Sequence, residues 1–246
     1  TPVLFQAGAS PRGLKFATRH AEAMFIGGDN TEKLKKQVDS IRELARLDGR
    51  DDQALKLFAG ITVVTAETDE LAQEKLKEYV KYASSEAGLA HLSSSVGIDF
   101  SQYADDDVIP YQQTNSIVSV NDRFKEQKVT LGDLKAQHLL GGRYPLFVGS
   151  GTTVAEQLIE LIDATGLDGF NLTRTVAPES HHDFIRLVIP ELQQRGRYKT
   201  EYESGSLRHK IFQKGHHLPA THPADQFRCQ SSLSSIEHED QTKQSA

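Results

Sequence analysis

Pro2-Val3-Leu4-Phe5-Gln6-Ala7-Gly8-Ala9-Ser10-Pro11-Arg12-Gly13 decides how the rest of the chain is read. Val3–Ala7 is a short apolar run rich in strand formers, and Gly8 ends it. A loop Gly8-x-Ser10-x-x-Gly13 follows, and Leu14–Glu22 reads as a helix with Leu14, Ala17 and Ala21 on one face. A glycine-bearing turn between a strand and a helix is an anion cradle in form. Unpaired backbone N–H groups point out of the helix start and the macrodipole favours negative charge there. Gly8 permits close approach, the Ser10 hydroxyl can donate to a phosphate oxygen, and Arg12 adds positive charge. The same residues also suit an ordinary strand-to-helix turn with a serine cap.

Outward from this stretch the rhythm repeats. Ala23–Ile26 is a second buried run closed by Gly27-Gly28. Thr31 to Leu47 carries a helical stripe of Leu34, Val38, Ile41, Leu44 and Leu47, and Gly49 ends it. Leu55–Ala66 is a third strand region. Thr68 caps a helix over Asp69–Tyr82 with Leu71, Leu76 and Val80 expected inward. Residues 83–143 break the pattern, with one helix expected near Thr130–Leu140, and read as an inserted lid or binding loop. Apolar pattern returns at Pro145–Val148, then a helix over Val154–Ala164 and a last strand at Leu167–Leu172. His181–Arg195 is the last strong helix, with Phe184, Leu187, Val188 and Leu192 on its core face and a kink expected at Pro190. From Gly215 the chain is polar, which predicts a disordered tail over 215–246. Four strands alternating with amphipathic helices imply an α/β fold with a parallel sheet, expected to be buried on both faces. Four strands are too few for an eight-stranded barrel and suit half of one.

Composition narrows the function classes. The 246 residues are 37% hydrophobic and 25% charged with a net charge of −6. No basic run suggests nucleic acid or an anionic membrane as partner. No apolar run approaches the roughly 18 residues of a membrane span. The single cysteine, Cys229, allows no intramolecular disulfide and fits a reducing, cytoplasmic setting. The chain opens on Thr1 and runs directly into a strand, as a fragment would.

Other constellations offer alternatives. Gly8, Gly13 and Asp29 imitate a dinucleotide-binding fingerprint, although Ser10 stands where its second glycine belongs. Gly149-Ser150-Gly151-Thr152-Thr153 imitates a second phosphate loop, while Thr153-x-x-Glu156 reads as a capping box. His181-His182, with Glu179 and Asp183, lacks the spacing of a metal site, and Asp105-Asp106-Asp107 reads as a solvated acidic loop. No metal is expected, and no arrangement of nucleophile and base identifies a catalytic residue.

The opening stretch, with Ala17-Thr18-Arg19-His20-Ala21-Glu22-Ala23, resembles the fifth strand and following helix of flavin-dependent monooxygenases related to bacterial luciferase. The resemblance is strongest to the nitrilotriacetate and dibenzothiophene-sulfone monooxygenase group. It continues in Gly60–Thr65, Gly151–Glu156, Asp168–Leu172, Leu192–Gly196 and Leu207–Phe212, and covers roughly residues 2–228. It implies a TIM barrel of which residues 1–214 form the C-terminal half, with the insertion at about 83–143. It further implies reduced FMN supplied by a separate flavin reductase, O₂, a small organic substrate, and a homo-oligomer in the full-length form. The family's Gln-Ala-Gly-x-Ser loop holds the FMN phosphate, which maps onto Gly8, Ala9 and Ser10. Members carry about twice as much chain, so no catalytic residue is transferred.

Overall fold

The computed structural model describes residues 2–8, 10–111, 124, 128–140 and 144–227. They fall into two units, Val3–Glu203 and Ser204–Ala246 with Thr1–Pro2.

The larger unit holds five parallel strands: β1 (Phe5–Gln6), β2 (Ala23–Ile26), β3 (Lys56–Ala66), β4 (Leu146–Ser150) and β5 (Gly169–Thr173). The expected count was four; β4 is the addition. Its run Leu146-Phe147-Val148 is short, but the second half of β3 gives it a full ladder from Thr62↔Leu146 to Ala66↔Ser150. β3 is the hub. Its even positions turn their amides to one edge, where Lys56 N–H donates to Glu22 O (2.9 Å) and Thr62 N–H to Pro145 O (2.9 Å). Leu57, an odd position, accepts from Asp168 N–H (2.9 Å) on the other edge. So β2 and β4 occupy successive lengths of one side of β3, and β5 takes the other.

Among the described residues the helices of this unit are α1 (Pro11–His20), α2 (Thr31–Leu47), α3 (Asp69–Lys81), α4 (Ser85–Val96), α5 (Leu131–Gln137), α6 (Gly151–Thr165), α7 (Glu179–Asp183) and α8 (Ile189–Gln194). Side chains alternate across a strand. Leu57, Ala59, Ile61 and Val63 of β3 enter two cores shared with α1, α2, α6 and the Val188–Leu192 segment. The opposite face was expected to be buried as well. It is buried along β3 at Thr62, Val64 and Ala66, but at the β1–β2 end it carries Phe5 and Phe25 at 41% and 38% exposure. The run β1–α1–β2–α2–β3 advances in one direction, and α1 and α2 pack on the same face, as in a barrel wall.

Two helices differ from their sequence pattern. α3 buries Ala72, while Leu71 and Val80 are 44% and 37% exposed. Its inward stripe runs Ala72, Lys75, Leu76, Tyr79, because Lys75 is drawn in by Asp183 (2.5 Å) and by the Thr65 carbonyl (3.2 Å). Burial alone would raise the Asp183 carboxyl, but hydrogen bonds from Lys75 and Arg186 hold it below the ordinary aspartate value. The expected kink at Pro190 takes the form of a π-helical segment, Phe184–Val188, between α7 and α8. Proline has no N–H for the preceding turn, and a widened turn accommodates the gap.

A charged staple ties the N-terminal ends of β3 and β5. Asp168 accepts from Arg42 (2.7 Å), Lys56 (2.8 Å) and the Leu57 N–H (2.9 Å). Arg42 also donates to the Leu55 carbonyl (2.6 Å) and to that of Asp52. The insertion has a core of its own, built from Leu89, Leu92, Val96, Leu131 and Leu134 with Ile98, Phe100 and Ile109. Gly88 lets α4 approach the His138 carbonyl, where a Cβ would sit at 2.4 Å.

In the smaller unit α9 (Leu207–Phe212) is capped by Ser206. The buried Arg208 donates to the carbonyls of Pro2 (2.8 Å) and His216 (3.0 Å). Within the stretch expected to be disordered, Pro223–Phe227 forms a 3-10 helix and Leu218 and His222 are buried. Residues 228–246, Cys229 among them, lie outside the described residues. Among the described residues no helix is long and apolar enough to cross a membrane.

Candidate functional site

The site is built at the C-terminal end of β1. Pro11 takes the first helical position of α1, where its fixed φ suits the helix and its missing N–H is not needed. Ser10 is the N-cap, with φ −65° and ψ 158°. Its Oγ accepts from Gly13 N–H at 3.1 Å and its carbonyl accepts from Leu14 N–H at 2.8 Å. Among the described residues the Ser10 hydroxyl donates to no acceptor. Arg12 N–H stands at N2, a position with no intrahelical acceptor. Gly13 is required by packing: a Cβ there would lie 2.7 Å from Gly8 O and 3.1 Å from Ser10 Oγ. The Gly8 amide is turned back onto the Gln6 side-chain carbonyl. Gly8 and Ser10 are therefore brought together, whereas Ala9 lies outside the described residues.

Beside this loop stands the uncovered β1–β2 end of the sheet's second face. Phe5 stacks on Phe25 with ring centroids 5.2 Å apart, and Phe58 lies 6.2 Å from each. Further along the same face, Thr62 and Thr173 share a hydroxyl–hydroxyl contact of 2.8 Å. Between the two layers the ring of Tyr144 lies against Gly60. Sequence reasoning assigned no role to Phe25, Phe58 or Tyr144; the available signal was Gly60, a glycine inside an otherwise apolar strand.

The other constellations resolve into structural roles. At β4–α6 the cap is Ser150, not Thr153, and its Oγ accepts from Thr153 N–H at 3.3 Å. Glu156 completes no capping box; it pairs with Arg195 at 2.9 Å. The Asp69 carboxylate sits on this helix start, accepting from Ser150 N–H (2.6 Å) and Thr153 Oγ1 (3.1 Å). These hydrogen bonds, the backbone one first, hold Asp69 below the usual carboxylate range. An internal anion thus already fills the second loop. Asp29 makes an exposed pair with Lys33 at 2.8 Å next to the α2 cap. Asp105 pairs with Lys135 (2.6 Å) and Asp107 accepts from Ala104 N–H (2.7 Å). Asp183 serves Lys75 and Arg186, and no group of three or more His, Cys, Asp or Glu side chains among the described residues could hold a metal ion.

The profile of the luciferase-like monooxygenases matches residues 1–169. The chain is 41% identical over 229 residues to a long-chain alkane monooxygenase of Geobacillus thermodenitrificans, covering 93% of this chain and 49% of that protein. It is 39% identical over 233 residues to the dimethyl-sulfide monooxygenase of Hyphomicrobium sulfonivorans, covering 93% and 48%. The solved structure of DmoA from Hyphomicrobium sulfonivorans superposes with a TM-score of 0.82 at 38% identity, over 95% of this chain and 50% of that one. A riboflavin lyase solved with modified FMN and riboflavin gives a TM-score of 0.85 at 36% identity, over 94% and 52%. The chain spans about half the length of the curated relatives it matches.

Proposed function

The chain belongs to the luciferase-like monooxygenase family, and on that premise we propose that it forms the C-terminal half of a two-component, FMN-dependent monooxygenase acting on a small apolar organic substrate. The observation that carries this reading is the α1 start. A hydroxyl that donates to no acceptor among the described residues, a backbone N–H at N2 and the helix dipole converge on one spot, and no carboxylate among those residues bonds there. This donor set fits a phosphate dianion. Gly8, Ala9 and Ser10 would hold the FMN phosphate. Bound in its reduced form, FMN supplies the electrons that reduce O₂, one oxygen atom passing to substrate and the other to water.

What this chain does for that reaction is to bind, orient and keep dry. The loop at the end of β1 fixes one end of the cofactor, and the phenylalanine face supplies apolar surface next to it. The three aromatic rings of the Phe5–Phe25–Phe58 patch suit an apolar substrate, and the relatives named for alkane and dimethyl-sulfide oxidation support the same class. A separate flavin reductase, a homo-oligomeric full-length form and a cytoplasmic setting complete the proposal.

The test is an anaerobic titration with reduced FMN, on this chain and on a form extended to the relatives' full length. The extended form, given a flavin reductase, NADH and O₂, is expected to consume oxygen stoichiometrically with substrate oxidation. No reduced-FMN affinity in the extended form overturns the proposal. The exposed Phe5 and Phe25 favour a second reading for the chain taken alone, namely flavin-phosphate binding without turnover.

A further inference from the structure

Gln6 is a polar residue in an apolar place. It is the last residue of β1 and pairs in register with Met24, which is fully buried on the helix-covered face. Side chains alternate across a strand, so Gln6 leaves β1 on the Met24 side while Phe5 faces the other way. A polar side chain on a covered face calls for a hydrogen-bond partner. That partner is two residues on: Gln6 Oε1 accepts from the Gly8 N–H. Gly8 makes room for the contact. A Cβ on Gly8 would lie 3.1 Å from Gln6 Nε2 and 3.4 Å from Oε1, so bare backbone lets the amide come up close.

Gly8 is held from its other side as well. Its carbonyl oxygen lies 2.7 Å from the position that a Cβ on Gly13 would take. The N–H of Gly8 is thus fixed by Gln6 and its C=O by the close approach of α1. Ser10 follows as the cap, its Oγ accepting from Gly13 N–H at 3.1 Å. Together these contacts set the path of the chain into the helix start, where the Ser10 hydroxyl and the Arg12 N–H converge.

The β4–α6 turn shows what a different acceptor does. There the amide at the strand end, Ser150 N–H, is held by the Asp69 carboxylate at 2.6 Å. That carboxylate puts a negative charge on the helix start, where the dipole favours one. The Gln6 amide performs the same backbone service without a charge.

We propose that Gln6 is the positioning residue of the phosphate loop: its neutral amide oxygen holds the Gly8 N–H and so fixes the loop for an incoming phosphate without repelling it. The inference rests on the FMN reading above and deepens it. Gln6 acts through Gly8.

The test separates the phosphate end of the cofactor from the rest. The form extended to the relatives' full length is titrated anaerobically with reduced FMN and with reduced riboflavin, which lacks the phosphate. Gln6→Met keeps the length of the side chain and removes the acceptor. It is expected to lower FMN affinity about fivefold, for one lost hydrogen bond, and to leave riboflavin affinity unchanged. Gln6→Glu is expected to lower FMN affinity at least about tenfold at neutral pH, where its carboxylate repels the phosphate. Its affinity should approach that of the unmutated protein at the same pH as acid brings the carboxyl towards its own value of about 4.3. A residue that only supports the fold would lower both flavin affinities together and give no such pH profile. Amide hydrogen exchange supplies a readout without flavin: Gly8 N–H should exchange faster in Gln6→Met than in the unmutated protein. Equal FMN-to-riboflavin affinity ratios in those two proteins, or equal Gly8 exchange, overturn the proposal. If Gln6→Met does not fold, the pH profile of Gln6→Glu carries the comparison. Failure of the FMN reading shows separately, as no FMN affinity in the unmutated protein, and it takes this inference with it.

Discussion

The β1–α1 and β4–α6 turns are nearly the same device. Each ends a short strand on a serine N-cap, with φ and ψ of −65° and 158° at Ser10 and −62° and 165° at Ser150. In each the serine Oγ accepts from the amide three residues on, at 3.1 and 3.3 Å. They differ in what stands opposite. Asp69, from the start of α3, places its carboxylate on Ser150 N–H and Thr153 Oγ1. Among the described residues no acidic group bonds the Ser10 turn. One helix start is neutralised from within, and the other has no such partner among the described residues. The capacity to bind an anion is thus written in local sequence, and its availability is settled by a neighbour 81 positions away in the chain.

The largest expected effect comes from Gly13→Ala, which drives a methyl group to 2.7 Å from the Gly8 carbonyl. Such overpacking costs about 1–3 kcal/mol, so reduced-FMN affinity should fall by about tenfold or more in anaerobic titration. The counterpart Gly149→Ala, whose Cβ would lie 2.9 Å from Asp69 Oδ1, should lower the melting temperature and leave flavin affinity intact. Equal flavin losses in both variants would break the distinction between the two turns.

Removing the caps gives a smaller effect of the same kind. Ser10→Ala and Ser150→Ala should each lose about 1 kcal/mol of stability in urea denaturation. Only Ser10→Ala should also weaken flavin binding, by roughly five- to tenfold for one lost hydrogen bond to a charged group. Asp69→Ala sharpens the comparison from the other side. With its internal anion gone, the α6 start should accept phosphate. Added phosphate should then raise the melting temperature of this variant more than that of the unmutated protein.

The smallest expected effect is in pH dependence. The Asp69 carboxyl is held below its ordinary value by its hydrogen bonds to the α6 start. A depressed carboxylate contributes stability that is present above the unfolded value of about 3.9 and is lost as pH falls through the folded value. Melting temperature should therefore fall on acidification below about pH 4, and Asp69→Asn should flatten that limb. An unchanged slope in Asp69→Asn would remove the carboxylate from its assigned role.

Much of the architecture was legible in the residues. The strand at Phe5–Gln6, the serine cap at Ser10, the α2 stripe through Leu34, Val38 and Ile41, and the third strand region at Leu55–Ala66 all follow from local patterns. The errors share one cause. β4 was missed because its five residues become a strand only by pairing with β3. α3 was rotated in the reading because Lys75 faces inward to meet Asp183, against the sense of its hydrophobicity. Burial on both faces holds along β3 from Ala59 to Ala66 and fails at Phe5 and Phe25, whose apolar runs look the same in sequence. Phe25 and Phe58 look like core residues in sequence, and only the sheet places them beside Phe5 at its uncovered end.

By itself the sequence determined the local geometry: which residues extend, which coil, and where a helix start exposes its amides. Those choices depend on backbone conformation and on partners within about four residues. Tertiary structure alone decided which helix start meets an internal anion, which end of the sheet's second face stays uncovered, and that Gly60 is kept small for Tyr144. Each of these is a contact between residues that share no local constraint, so its free energy appears only when the chain has brought them together.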